Sequence, residues 1–139
     1  MQPVELPITS LQHIGIPVTN LEKSKAFYEK LGFTNVMEST FEFNDSQGTC
    51  VMMKLGGILM ELYQMPSSEL GKIKNRNDGH IDHIAFDVTD IDKTFLTLKT
   101  AGFIVLEDQP IFLNFWKNGC KFFNIVGPDG ERLEFNQIL

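Results

Sequence analysis

The sequence predicts an α+β domain made of two βαβββ modules, whose strands build a curved, mixed, mostly antiparallel sheet. Three observations carry this. The chain repeats itself: a shift of 70 positions lays Ser10–Phe33 over His80–Phe103 without a gap, with seven identities in 24 pairs, among them His13/His83, Val18/Val88, Gly32/Gly102 and Phe33/Phe103. Self-similarity at a fixed period decides architecture before any local reading. Each copy also switches from a two-residue to a helical hydrophobic period at the same point, after Val18-Thr19 and Val88-Thr89. Finally, the closing hairpins match, with Gly57 over Gly130, Met60 over Leu133 and Glu61 over Glu134 at a shift of 73, so the second copy holds three more loop residues.

Met1–Ser10 reads as a lead-in. Leu11–Val18 alternates as a strand, with Ile14, Ile16 and Val18 on one face and His13 on the other. Thr19-Asn20 caps a helix whose Leu21, Ser24, Phe27, Tyr28 and Leu31 recur at helical spacing, and Gly32 ends it. A strand over Phe33–Phe43, a turn over Asn44–Gly48, a strand over Thr49–Leu55, the Gly56-Gly57 hairpin and a strand over Ile58–Gln64 complete the copy. Pro66–Gly79 is polar and turn-rich and reads as a linker. The second copy runs as strand Ile81–Val88, cap Asp90, helix Ile91–Ala101, strand Phe103–Glu107 and loop Asp108–Gly119. Strand Cys120–Val126, turn Gly127-Pro128-Asp129-Gly130 and strand Glu131–Ile138 end it. The expectation is a single domain over 9–139, with modules 10–65 and 80–138 joined by linker 66–79. Neither module, at about 60 residues, buries much surface alone.

A formal charge of −6 with only Arg76 and Arg132 as arginines argues against nucleic acid and anionic membranes as partners. A small-molecule substrate fits better. No run approaches the ~20 apolar residues of a membrane span, and the N-terminus lacks a signal-peptide pattern. Cys50 and Cys120 are too few for a disulfide framework and read as buried thiols in matching strands. The expected location is the cytoplasm.

Each copy places a histidine in its first strand and a glutamate in an apolar stretch of its last: His13 and Glu61, then His83 and Glu134. A lone histidine or glutamate in a strand is ordinarily packed or solvated. Joint repetition at matched positions is what lifts these four above that reading. A carboxylate that is buried must find a partner, and imidazole nitrogen with carboxylate oxygen suits a divalent first-row metal. Ni, Zn, Co, Mn and Fe all accept such ligands. His80, matched only by Ser10, reads as a surface or supporting residue. In the aromatic 108–119 segment, Phe112, Phe115, Trp116, Lys117 and Asn118, with Phe43 from the first module, read either as a substrate pocket or as core and interface filling.

These residues resemble the vicinal oxygen chelate (glyoxalase, bleomycin resistance and dioxygenase) superfamily. The resemblance rests on Leu11–Ile16, Phe27–Phe33, Ile81–Phe86 and Gly127–Glu134, and spans about Leu11 to Gln137. It implies a glyoxalase-like fold. The order His13, Glu61, His83, Glu134 looks most like the ligand set of glyoxalase I. It implies a metal-dependent lyase or isomerase that moves a proton through a metal-bound enediolate, with Glu134 as the proton-transfer residue and Glu61 as its partner. Pro17 and Met65 stand where that family carries an Arg and an Asn for glutathione, so the resemblance does not extend to that thiol. The alternatives are an epimerase like methylmalonyl-CoA epimerase and a non-catalytic antibiotic-binding protein. A homodimer is the common state of such proteins, and the modules are expected to pair either within one chain or across two.

Overall fold

The computed structural model describes residues 13–76, 83–113 and 117–139, the side chain of Leu113 excepted. The elements are β1 (Ile14–Pro17), α1 (Leu21–Lys30), β2 (Thr34–Phe43), β3 (Ser46–Leu55), β4 (Ile58–Gln64), α2 (Ser67–Lys74), β5 (Ile84–Asp87), α3 (Ile91–Thr100), β6 (Ile111–Leu113), β7 (Cys120–Val126) and β8 (Arg132–Ile138). Each module builds its own mixed four-stranded sheet, in the orders β1-β4-β3-β2 and β5-β8-β7-β6. β1 runs parallel to β4 and β5 parallel to β8; the remaining pairs are antiparallel.

The repeated sequence makes repeated local structure. Asn20 and Asp90 accept the N–H of Lys23 and Lys93 at 3.0 and 2.9 Å, satisfying donors that a helix start leaves open. Gln64 and Gln137, from the last strand of each module, accept the N–H of Leu21 and Ile91 at 2.7 and 2.9 Å. Both helices end in the paired hydrogen bonds of a Schellman stop, with Gly32 and Gly102 at φ +96° and +83°. Asn44 and Asp45 take positive φ in a two-residue turn, so β3 starts at Ser46, earlier than the turn-rich sequence predicts.

Two segments depart from expectation. The linker carries α2, anchored by the buried Ile73. Phe103–Glu107 forms only one bridge, Val105 to Ile125, and the edge strand is instead β6, inside the predicted loop. The reason is Glu107: it spends its carboxylate on the backbone and side-chain nitrogens of Asn124, at 2.6 and 2.7 Å, which turns the chain off the ladder.

One apolar core joins the modules, through Val51, Met53, Met60 and Leu62 on one side and Phe123, Ile125 and Leu133 on the other. The helices lie on these apolar faces. Strand alternation therefore puts Glu61 and Glu134 on the opposite faces. The seam against α1 is clasped. Both oxygens of Asp129 accept the Thr19 N–H at 3.1 Å, the Thr19 hydroxyl also donates to Asp129, and the Tyr28 hydroxyl donates to Glu131 at 3.2 Å. Glu131 folds over Gly127, where any side chain would collide with its carboxylate. The matching seam against α3 is emptier. There Thr97, Leu98 and Ile58 replace Phe27, Tyr28 and Glu131, and the hairpin is short. A cavity of about 680 Å³ opens there beside Phe33, Leu55 and Leu98, against about 220 Å³ at the α1 seam.

Burial raises the Glu131 carboxyl above its ordinary range, and its own and neighbouring backbone N–H groups only partly offset this. Its folded pKa exceeds its unfolded one, so its stabilisation is complete below the unfolded value and is lost as pH rises through the folded value. Glu131→Gln is therefore expected to unfold at higher urea than the unaltered protein at neutral pH. The gap should close as the pH falls toward the ordinary carboxyl range. A gap that widens on acidification would contradict this assignment.

Candidate metal centre

β1 and β5 run parallel to β4 and β8 in the same register, which sets Gly15 beside Glu61 and Ala85 beside Glu134. The two smallest side chains thus flank the two carboxylates. A methyl group on Gly15 would stand 3.9 Å from Glu61 Oε2. Just before each strand, a histidine turns onto the same glutamate. His13 Nε2 lies 3.1 Å from Glu61 Oε2, and His83 Nε2 lies 3.3 Å from Glu134 Oε2. Nitrogen and oxygen ligands at ~2.1 Å from one ion and at right angles to each other stand about 3 Å apart. Each pair therefore has the chemistry and the spacing of two adjacent ligands.

The pairs are half-exposed, which suits a site open to a substrate: 31% and 27% for the His13 and Glu61 side chains, 42% and 14% for His83 and Glu134. Within one chain the two pairs stay apart. Among the described residues, no three His, Cys, Asp or Glu converge where one ion would be held. The sequence leaves open whether the modules pair within one chain or across two, and within this chain His13 with Glu61 and His83 with Glu134 form two separate pairs. His13 also lines a cleft of about 370 Å³ shared with β5 residues Ile84–Asp87. The 680 Å³ cavity touches none of the four.

The two faces differ in character. Beside Glu61 stand Met52 and, one strand further, Met37. Phe41 and Phe43 follow on the same face of β2. Cys50 packs there too, its thiol raised by burial and by the Glu61 carboxylate. Beside Glu134 stands Asn124, held by Glu107, and next on the same face comes Asn136, whose amide donates to Glu134 Oε1 at 2.7 Å.

The family model described as Glyoxalase/Bleomycin resistance protein/Dioxygenase superfamily matches residues 10–135. The chain belongs to this superfamily. It is 32% identical over 128 residues to the uncharacterized protein YwkD of Bacillus subtilis, covering 91% of this chain and 95% of that protein. It is 26% identical over 102 residues to the mitochondrial methylmalonyl-CoA epimerase of Bos taurus, covering 71% of this chain and 58% of the epimerase. The fold superposes on a glyoxalase family protein from Enterococcus faecalis with a TM-score of 0.73 at 22% identity, over 94% of this chain and 99% of that one.

For this superfamily member, the substrate residues predicted from sequence divide. Phe43 lies half-buried on the Glu61 face. Phe112 pairs with Lys121, which places it on the face opposite Glu134, and it is 54% exposed. It therefore does not wall the Glu134 site within this chain, because a three-residue strand with the opposite parity turns it away. Lys117 and Asn118 are exposed in the turn before β7. Phe115, Trp116 and His80 lie outside the described residues. Sequence reading passed over Asn124 and Asn136. The signal for Asn136 was its place two residues after Glu134, on the same strand face.

Proposed function

We propose that this protein is a metal-dependent lyase or isomerase of the glyoxalase I type, acting on a small substrate with adjacent oxygens. The observation that carries the reading is the repeated histidine–glutamate pair, at 3.1 and 3.3 Å, on matched strands of both modules. We read the divided pairs as halves of one site, completed in a homodimer when the first module of one copy meets the second module of its partner. Two supports stand behind that. The in-chain contact uses the helix-bearing faces, and the glutamate faces are left for a second copy. Neither pair alone offers more than two ligands.

His13, Glu61, His83 and Glu134 would hold the divalent ion. When bound, the ion polarises a carbonyl oxygen and eases loss of a proton from the adjacent carbon. The chain itself performs the proton transfer. Glu134 takes the proton from one carbon and returns it to the next, acting as general base and then general acid, and Glu61 attends the opposite side of the substrate. Met52, Phe41 and Phe43 hold the apolar part of the substrate and exclude water. The acidic surface and Pro17 fit a substrate other than a doubly carboxylated thiol tripeptide. The cytoplasm, with its thiols and reactive carbonyls, is the proposed setting.

The epimerase relative keeps a second reading in view: the same proton transfer returned to its original carbon on an acyl thioester. The deciding test loads purified protein with Ni, Co, Zn or Mn and assays methylglyoxal with glutathione, bacillithiol or cysteine, then racemic 2-methylacyl thioesters. Turnover of a hemithioacetal supports the lyase reading, and epimerisation alone replaces it. Glu134→Gln should lower turnover by about 100-fold or more, the usual reach of a positioned general base. Full activity in that variant removes the assignment.

A further inference from the structure

The two seams between the modules are built from matched residues, and only one of them is filled. At the α1 seam, the turn that carries Asp129 brings a carboxylate to Thr19. The Thr19 N–H donates to both Asp129 oxygens at 3.1 Å, and its hydroxyl donates there too. Thr89 is the same residue in the repeat, and it lines the 680 Å³ cavity at the α3 seam. Its N–H and hydroxyl make no hydrogen bond among the described residues. The carboxylate is missing because the matching hairpin is Gly56-Gly57, where an added Cβ would meet nothing within 4 Å. The rings are missing as well, since Thr97 and Leu98 stand for Phe27 and Tyr28. What remains has buried apolar walls, Phe33, Phe86 and Leu98, and two backbone and side-chain donors on Thr89. The cavity is reached from solvent: Leu55 on its rim is 40% exposed, and Thr89 is exposed. Apolar walls with a few placed polar groups, in a space of this size, are the build of a small-molecule site.

We propose that the α3 seam is a second binding site, separate from the metal centre, for a small carboxylic acid with an aromatic body. The filled seam is its template. The ligand's carboxylate takes on Thr89 the place that Asp129 takes on Thr19, and its apolar body takes the place of the Phe27 and Tyr28 rings. Lys93, exposed and four residues after Thr89, adds a cation to the lining. The acidic residues nearby are otherwise disposed. Asp90 spends Oδ1 on the Lys93 N–H at 2.9 Å. Strand alternation turns Asp87 to the Glu134 face, the opposite one from Phe86. The cavity touches none of the four candidate metal ligands, so this site stands independently of the metal-centre reading.

The test titrates the full chain with 1-naphthaleneacetic acid and with its neutral amide, by calorimetry, both metal-free and Ni-loaded. The two probes share one apolar body and differ in charge. The unaltered protein should bind the acid about 10-fold more tightly than the amide, because a charged acceptor strengthens each hydrogen bond. That preference should be the same with and without Ni²⁺. Thr89→Val keeps the N–H, removes the hydroxyl and should weaken the acid by about 5-fold. Thr97→Phe returns the first seam's ring from an exposed position and should weaken both probes by about 10-fold or more, by taking the space their apolar body needs. Circular dichroism checks the folding of each variant. Equal binding of acid and amide by the unaltered protein overturns the proposal without any variant. Binding that requires Ni²⁺ moves the acid to the metal centre and overturns it, as does undiminished binding by folded Thr97→Phe. No binding of either probe means that the cavity is closed by the chain's own first residues or by a second copy, and overturns it too. A protein that binds the acid but no Ni²⁺ keeps this site and loses the metal centre alone.

Discussion

Replacing His83 or Glu134 by alanine is expected to weaken divalent-metal binding by on the order of 100-fold. A bound structural or catalytic ion is worth roughly 10 kcal/mol or more, and a four-ligand site divides that among its members. His13→Ala and Glu61→Ala should cost a similar amount, although they belong to the other module. Calorimetry with Ni²⁺ or Zn²⁺ measures each. The sharper form mixes two inactive proteins, one carrying His13→Ala with Glu61→Ala and the other His83→Ala with Glu134→Ala. If sites form across a two-fold dimer, each mixed dimer holds one site built from two intact halves. Random re-association then restores about a quarter of the metal sites. Pairing within the chain restores none, because every chain in the mixture has a damaged module. Recovery of sites therefore reports the assembly as well as the ligands. If all four single variants bound metal as tightly as the unaltered protein, the candidate centre would be wrong.

The repeat made much of this legible beforehand. A shift of 70 set out β1, α1, β5 and α3, and the caps Asn20 and Asp90 stand where their residue types demand. A shift of 73 matched Glu61 with Glu134, and each glutamate meets the histidine of its own module. The same shift matches Gln64 with Gln137, whose carboxamides cap the two helices. That repetition was as visible as the glutamates and passed unread, because glutamine suggests no chemistry by itself.

What escaped the sequence was tertiary in origin. Phe103–Glu107 has strand-like alternation, yet Glu107 is captured by Asn124, a partner 17 positions away. Leu70 and Ile73 are spaced for one helical turn, but Pro, Ser, Asn and Gly around them conceal α2 until Ile73 finds the core. Phe112 is aromatic and near the pocket in sequence, and a one-residue change of strand parity sends it to the other face. The cysteines, 70 apart, do fall in matching strands. Cys50 opposes Tyr63 while Cys120 opposes Ile138, two residues further along, because the extra loop residues of the second module enter between them and the hairpin. The division of the four candidate ligands into two pairs also follows from packing: period and composition are silent on whether modules meet through helices or through sheet edges.

That packing predicts an unequal response at two matched core positions. Tyr28 and Leu98 are equivalent by the repeat, each facing the seam between modules. Tyr28 is fully buried, meets Phe27 and Phe33 edge-on at 5.2 and 5.6 Å, and donates to Glu131. Tyr28→Ala removes an aromatic ring from a filled seam and leaves Glu131 without its side-chain donor, so a loss of about 4–5 kcal/mol is expected. That is a large part of the 5–15 kcal/mol by which domains are ordinarily stable. Tyr28→Phe keeps the ring and should cost about 1–2 kcal/mol, the value of the hydroxyl bond to a largely buried carboxylate. Leu98→Ala is expected near the lower end of its range, about 2 kcal/mol, because Leu98 already borders open space. Urea unfolding of the three variants measures the order Tyr28→Ala, then Leu98→Ala, then Tyr28→Phe. Equal costs at Tyr28 and Leu98 would mean that the two seams are packed alike, and that the clasp through Asp129 and Glu131 adds nothing to holding the modules in their helix-side arrangement.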